Sequence, residues 1–165
     1  MNSAQQRSYL RASILFLCLV LFPAGAIPAE RRAGESGPTE VSALALEKVM
    51  HDYIALYARE TLGDWKKLFH PALSVAHVTG EGAIRVRNLE EFFAAQKSYF
   101  ETGRAISERL ENVHIASGRR IARVTADFIF VDAGEERRGT LGLHLAEGQD
   151  GWKIVAILFS YDQPR

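Results

Sequence analysis

The chain has 165 residues, 47% of them hydrophobic, with 20 basic and 20 acidic side chains and a pI near 7.0. That length suits one domain with one core, and the balanced charge leaves no electrostatic footprint for nucleic acid or an acidic membrane surface. Composition also excludes a polytopic membrane protein, a collagenous repeat and a disulfide-stapled mini-protein.

Residues 1–26 read as a secretory signal peptide. Arg7 and Arg11 precede an uncharged apolar run from Ala12 to Phe22, Pro23 breaks the run, and Ala24-Gly25-Ala26 supplies the small residues a signal peptidase needs. The run is too short to span a bilayer, which takes roughly 20 apolar residues. Leu17 is too bulky to make Cys18 a lipoprotein site. Cleavage after Ala26 removes Cys18, the only cysteine, and leaves 18 basic against 20 acidic groups, a net −2. Thiol and disulfide chemistry go with it. The expectation is a secreted or periplasmic protein with no membrane insertion after cleavage.

Residues 27–38, with two prolines, two glycines and several charges, read as a flexible linker. The domain is expected over 39–162. Thr39 can cap a long helix over about 40–61, because Leu46, Val49, Met50, Tyr53, Leu56 and Tyr57 recur at three- and four-residue spacing. Gly63 is expected to end that helix, and Asp64 to cap a second one from Trp65 to Phe69, closed by Pro71. Short strands follow at Leu73 to Val78 and Ala83 to Arg87. A third helix starts at Asn88, which stands three residues before Glu91 as in a capping box, and stops at Gly103.

Beyond Gly103 the texture changes. Ala105–Ser117, Ile121–Val131, Thr140–Glu147 and Trp152–Tyr161 are rich in β-branched and aromatic residues and separated by turn residues, which predicts an antiparallel meander. Arg119-Arg120 and Arg137-Arg138 are expected in turns, the latter in a solvated mixed-charge loop with Glu135 and Glu136. Helices followed by a hairpin-linked sheet make the fold class α+β. The last strand alternates apolar residues on both faces, Trp152, Ile154, Ala156 and Leu158 against Val155, Ile157 and Phe159, so it must be covered twice.

Three stretches carry a family resemblance: Tyr57 through Gly63-Asp64-Trp65 to Leu68-Phe69-His70-Pro71; a Gly-bracketed hairpin before Asn88-Leu89-Glu90-Glu91-Phe92-Phe93; and Gly151-Trp152-Lys153-Ile154-Val155. Over about 40–162 the chain resembles the nuclear-transport-factor-2-like superfamily, closest to the branch named for lumazine binding and polyketide cyclase-like proteins. The resemblance implies a cone-shaped curved antiparallel sheet wrapped on three N-terminal helices, a cystatin-like roll, with a pocket at its open end. It also implies a homodimer through the outer face of the sheet. The superfamily holds dehydratases, isomerases, polyketide cyclases and noncatalytic binders, so fold alone does not select a function.

Three residues are candidates for proton transfer. His70 either faces the pocket as an acid–base group or bonds a backbone carbonyl at a helix end. His77 shares parity with Leu73 and Val75 and reads as a pocket-wall group rather than a metal ligand. Asp127, inside a strand, would be the strongest candidate if it faced the cavity. Its parity with Arg123 and Thr125, against Val124, Ala126 and Phe128, instead points to the outer face. A hairpin around Gly134 could bring His144 near it, subject to register.

The expected pocket wall comprises Tyr53, Tyr57, Trp65, Phe69, His77, Phe92, Phe128 and Trp152. No histidine pair at ligand spacing, phosphate loop or dinucleotide fingerprint is present, so no metal or cofactor is expected. The leading reading is noncatalytic binding of a small apolar or aromatic molecule in the pocket; the alternatives are a lyase or isomerase using an Asp/His pair and a noncatalytic dimerisation or assembly module.

Overall fold

A computed structural model describes residues 40–162; the expected signal peptide, linker and Thr39 cap lie outside the described residues. Helix α1 (Glu40–Ala55) buries Leu46, Met50 and Tyr53 along one face. It stops at Ala55, short of the expected residue 61, because the chain turns there and the Thr61 hydroxyl donates to the Leu56 carbonyl at 3.0 Å. Helix α2 (Leu62–Lys66) therefore starts from Thr61 and takes Gly63 and Asp64 inside its first turn. Asp64 is not a cap. Its carboxylate lies near the helix N-terminus, where negative charge is favoured, and pairs with Lys67 at 2.7 Å.

Strand β1 (Phe69–Val78) begins four residues before the expected Leu73, so His70 and Pro71 are strand residues rather than a helix end. Its pairing with the last strand shifts register between Phe69 and Ser74, and β2 pairs only with Ser74–Val78, so Pro71 lies outside the regular ladder. After β2 (Ile84–Asn88), helix α3 (Leu89–Glu101) opens on a complete capping box. Asn88 accepts from the Glu91 N–H at 2.9 Å, and Glu91 accepts from the Asn88 N–H at 3.0 Å.

Strands β3 (Ile106–Ser117), β4 (Ile121–Asp132), β5 (Glu135–Gly148) and β6 (Gly151–Tyr161) form the meander. Ala133 and Gly134, both with positive φ, close the β4–β5 hairpin in two residues, the geometry that matches strand twist. The expected charged loop is therefore ladder, and Arg137 and Arg138 are strand residues paired with Phe130 and Ile129.

The six strands form one curved sheet in the order β2-β1-β6-β5-β4-β3. Every pair is antiparallel except β1 with β6, which is parallel, so the sheet is mixed rather than wholly antiparallel. A bulge between β5 and β6, at His144/Leu145, corrects the expected two-faced pattern of the last strand. It places Trp152 and Ile154 on the same inner face as Ile157 and Phe159, leaving Ala156 and Leu158 outside.

The core lies between this inner face and the helices. Trp152 Nε1 donates to the Ser42 carbonyl at 3.0 Å and its hydroxyl at 3.1 Å, while Trp65 Nε1 donates to the Tyr53 carbonyl at 2.8 Å. Two buried indoles thus tie down both ends of α1. Among the described residues no helix is long and apolar enough to cross a membrane.

Candidate functional site

Trp65 is the centre of an aromatic group, with ring centroids at 5.0 Å from Tyr57, 4.6 Å from Phe69 and 5.8 Å from both Tyr53 and Phe92. This group props the C-terminal end of α1 and the start of α3 above the sheet. A cavity of about 140 Å³ remains beneath, close to the roughly 150 Å³ that holds a benzene-sized ligand.

Tyr53, Tyr57, Trp65 and Phe92 line it from the helical side, with Gln96 and Tyr99 of α3. Phe128, Phe130, Leu141, Ile157, Phe159 and Tyr161 line it from the sheet. Gly139 fits this wall because a Cβ there would meet the Ser160 carbonyl and the Phe128 ring, so only glycine lets that ring lie across the strand.

Residues from both edges of the sheet enter the cavity: Arg87 of β2 and Glu108 of β3, joined by His77 of β1. Opposite edges can share one cavity only because the sheet curls. Glu108 lies on the inner parity of β3, between Ile106 and Leu110 and opposite Phe130. Enclosure among apolar side chains pushes its carboxyl up from 4.5 to about 7, since ionising there sacrifices hydration; the Tyr53 hydroxyl, its hydrogen-bonding neighbour, pulls the other way.

Burial, and then the Glu108 charge, push the Tyr53 phenol well above its ordinary value, and burial pushes Tyr161 up to about 12. Both therefore remain donors at neutral pH. Tyr57, raised chiefly by burial, donates to Gln96 Oε1 at 2.5 Å. His77 stacks on Phe159 at 5.2 Å; burial, then Arg87 and Arg85, push it below its ordinary value, so it is neutral at pH 7.

Several sequence candidates stand elsewhere. Asp127 is exposed on the outer face and accepts from Asn112 Nδ2 at 2.7 Å. His144 is opposite Arg123, whereas Asp127 is opposite Thr140, so the register does not pair them. His70 is exposed, and its Nδ1 accepts from the Ala72 N–H at 3.1 Å. Phe69 and Trp152 are buried in the core outside the cavity lining. Sequence reading passed over Glu108, although an acid in the row Ile106-Glu108-Leu110 is a sharper anomaly than Asp127 in a polar row. Arg87, Gln96 and Tyr161 carried no comparable signal. Among the described residues no three His, Cys, Asp or Glu side chains gather to hold a metal ion.

The SnoaL-like domain family model matches residues 46–163. No curated protein matches the chain. Among solved structures, the chain is similar to a protein of unknown function with a cystatin-like fold from Nostoc punctiforme, at 12% identity and a TM-score of 0.60, covering 76% of this chain and 95% of that one. It is similar to a proposed dehydratase of the NTF2-like family from Streptomyces avermitilis, at 15% identity and a TM-score of 0.61, covering 75% and 98%. A proposed scytalone dehydratase from Novosphingobium aromaticivorans gives 16% identity and a TM-score of 0.59, covering 74% and 85%. These likenesses concern the fold.

The position of Glu108 predicts a pH effect on stability. Below about 4.5 both folded and unfolded chains hold the proton, and the group is neutral in both. Between about 4.5 and 7 the unfolded chain releases it while the folded chain keeps it, so stability falls as pH rises and levels off above 7. The total is roughly 3 kcal/mol at 1.36 per pH unit. Glu108→Gln should remove most of that fall and be the more stable protein at pH 8, as read by denaturant unfolding across pH 4.5–8. An unchanged pH slope would contradict the raised carboxyl.

Proposed function

The chain belongs to the SnoaL-like domain family, and on that premise we propose that the domain takes a ring-sized, largely apolar molecule into its cavity and moves a proton on it through Glu108. The observation that carries this reading is a single carboxyl lining the cavity among aromatic side chains and beside the Tyr53 phenol, where burial pushes it up to about 7. A noncatalytic binder requires only the apolar wall. It does not require a half-buried acid that lowers stability, and a perturbed acid in a cavity is a candidate for chemistry.

The reaction class is isomerisation or dehydration. Ionised Glu108 takes a proton from carbon next to a carbonyl, the C–H electron pair moves toward the carbonyl, and the Tyr53 hydroxyl stabilises the developing oxyanion by hydrogen bonding. The protonated carboxyl then returns the proton to another carbon, or to a departing hydroxyl as water leaves. A pKa near 7 lets Glu108 perform both halves at neutral pH. The word dehydratase in the names of two fold neighbours agrees with this class without carrying it.

The reading extends to a homodimer and to export. On the outer face, Val86, Ala76 and Leu158 align across three strands, with Ile84 next to Val78. Ile84, Val86 and Leu158 are 70%, 65% and 58% exposed, an apolar patch that a second copy of the sheet would cover. Export is supported by the charge, apolar run and Ala-x-Ala site of residues 1–26.

Three measurements test these statements. Exchange of the α-protons of cyclohexanone in D2O, followed by NMR, should accelerate as pH rises through about 7 and fall about 10²- to 10⁴-fold in Glu108→Gln; an unchanged rate in the variant overturns the role of Glu108, and binding without exchange in the wild type returns the site to a noncatalytic binder. Leu158→Lys should shift the sedimenting species from two chains to one, and a monomeric wild type refutes the dimer. Exported protein should begin at Ile27, whereas an intact N-terminus in the exported fraction refutes cleavage there.

A further inference from the structure

Some guanidinium groups on the sheet are matched by carboxylates, while others, the exposed Arg123 of the outer face included, are not. On the outer face Arg109 pairs with Glu136 at 2.9 Å and Glu111 at 3.6 Å, and Arg138 pairs with the same two carboxylates at 3.5 and 3.6 Å. On the inner face Arg87 lines the cavity half-buried, with Arg85 two residues before it and paired opposite His77. Arg137, also of inner parity, has its guanidinium 5.0 Å from the Phe130 ring centre and 4.9 Å from that of Tyr161. Among the described residues the guanidinium groups of Arg85, Arg87 and Arg137 form no ion pair and no hydrogen bond. The one carboxylate in the cavity, Glu108, belongs to the opposite edge strand.

A partly desolvated guanidinium without a carboxylate is unfavourable unless a charge arrives from outside. From this geometry we infer that the molecule entering the cavity is an anion, a monocyclic carboxylic acid whose carboxylate sits against Arg87 while its ring lies among the aromatic side chains and its far end reaches Glu108. The inference rests on the proposed cavity function and names its substrate class. The volume admits about one ring. The fork of one arginine satisfies a carboxylate through two parallel N–H donations, whereas a phosphate presents more oxygens than Arg87 and a neutral His77 can fill. Both edges of the sheet acquire a purpose in one complex: β2 holds the charge and β3 supplies the proton acceptor. The separation also keeps the ligand's anion away from the carboxyl that must itself ionise.

The test compares benzoate with its uncharged isostere benzamide, titrated into the full-length protein at pH 6 by calorimetry. Benzoate should bind at least about tenfold more tightly. Arg87→Gln should abolish that preference by weakening benzoate far more than benzamide, and Arg87→Lys should retain part of it. Added salt should weaken benzoate but not benzamide in the wild type, a readout independent of whether the variants fold. Equal affinities, a preference that survives Arg87→Gln, or no salt dependence overturn the anion inference and leave the cavity reading standing, since benzamide still binds. Failure of both probes to bind refutes the cavity reading and the anion inference together.

Discussion

The cavity exists because α1 is held at two points and the sheet curls away beneath it. Trp152, near the start of the last strand, bonds the first turns of the helix through Ser42, and Trp65 bonds its last turn through the Tyr53 carbonyl. Both donors are buried, so losing either partner would strand an indole N–H in an apolar surround, at about 1–3 kcal/mol. Between these anchors the helix cannot sink onto the sheet. Trp65 also contacts Tyr53, Tyr57, Phe69 and Phe92, which makes it a pillar rather than a filler. Cavity and core are therefore one packing problem, and the space under the pillar is what the aromatic side chains leave over.

The local signals in the sequence were strong wherever one residue type answers one backbone requirement. Asn88 and Glu91 closed a capping box at the anticipated place because that motif is complete within four residues. Runs rich in β-branched and aromatic residues, set off by turn residues, located the four late strands. Signals failed where a choice depended on distant partners. Gly63 and Asp64 look like a helix stop and a helix cap, yet Thr61 turned the chain first and both joined the next helix. The parallel pairing of β1 with β6 depends on where the meander begins, which no local pattern encodes. The bulge at His144/Leu145 reassigned Trp152 and Ile154 to the inner face by adding one residue, since the side-chain period of a strand is two.

The outer face divides into two halves. Over β3, β4 and β5 it carries Arg109, Glu111, Glu136 and Arg138 in a ring around Ile129, which is fully buried beneath them. These pairs are exposed and individually weak, but charge on an edge strand discourages further strands from adding there. Over β2, β1 and β6 the same face is apolar and open. Contact with another copy would then engage the β2 side of the sheet. That side also carries Arg87 on its inner surface, so packing outside β2 would stiffen the strand that presents the cation.

Glu108 and Asp127 show how face decides chemistry for nearly identical side chains. Both are carboxylates on neighbouring strands, Asp127 at the middle of β4 and Glu108 near the start of β3. Asp127 is open to solvent and accepts from the Asn112 amide. Glu108 has the reverse parity, faces Phe130 across the ladder, and holds its proton up to about pH 7. An isolated carboxyl in that place lowers stability at neutral pH, so packing alone does not account for it. The unpaired Arg87 at the other edge poses the same difficulty with the opposite sign. A molecule with a charged end and a proton-bearing end resolves both, because it brings a partner to the cation and work to the acid. The two groups belong to opposite edge strands, and the curl of the sheet is what brings both to one cavity.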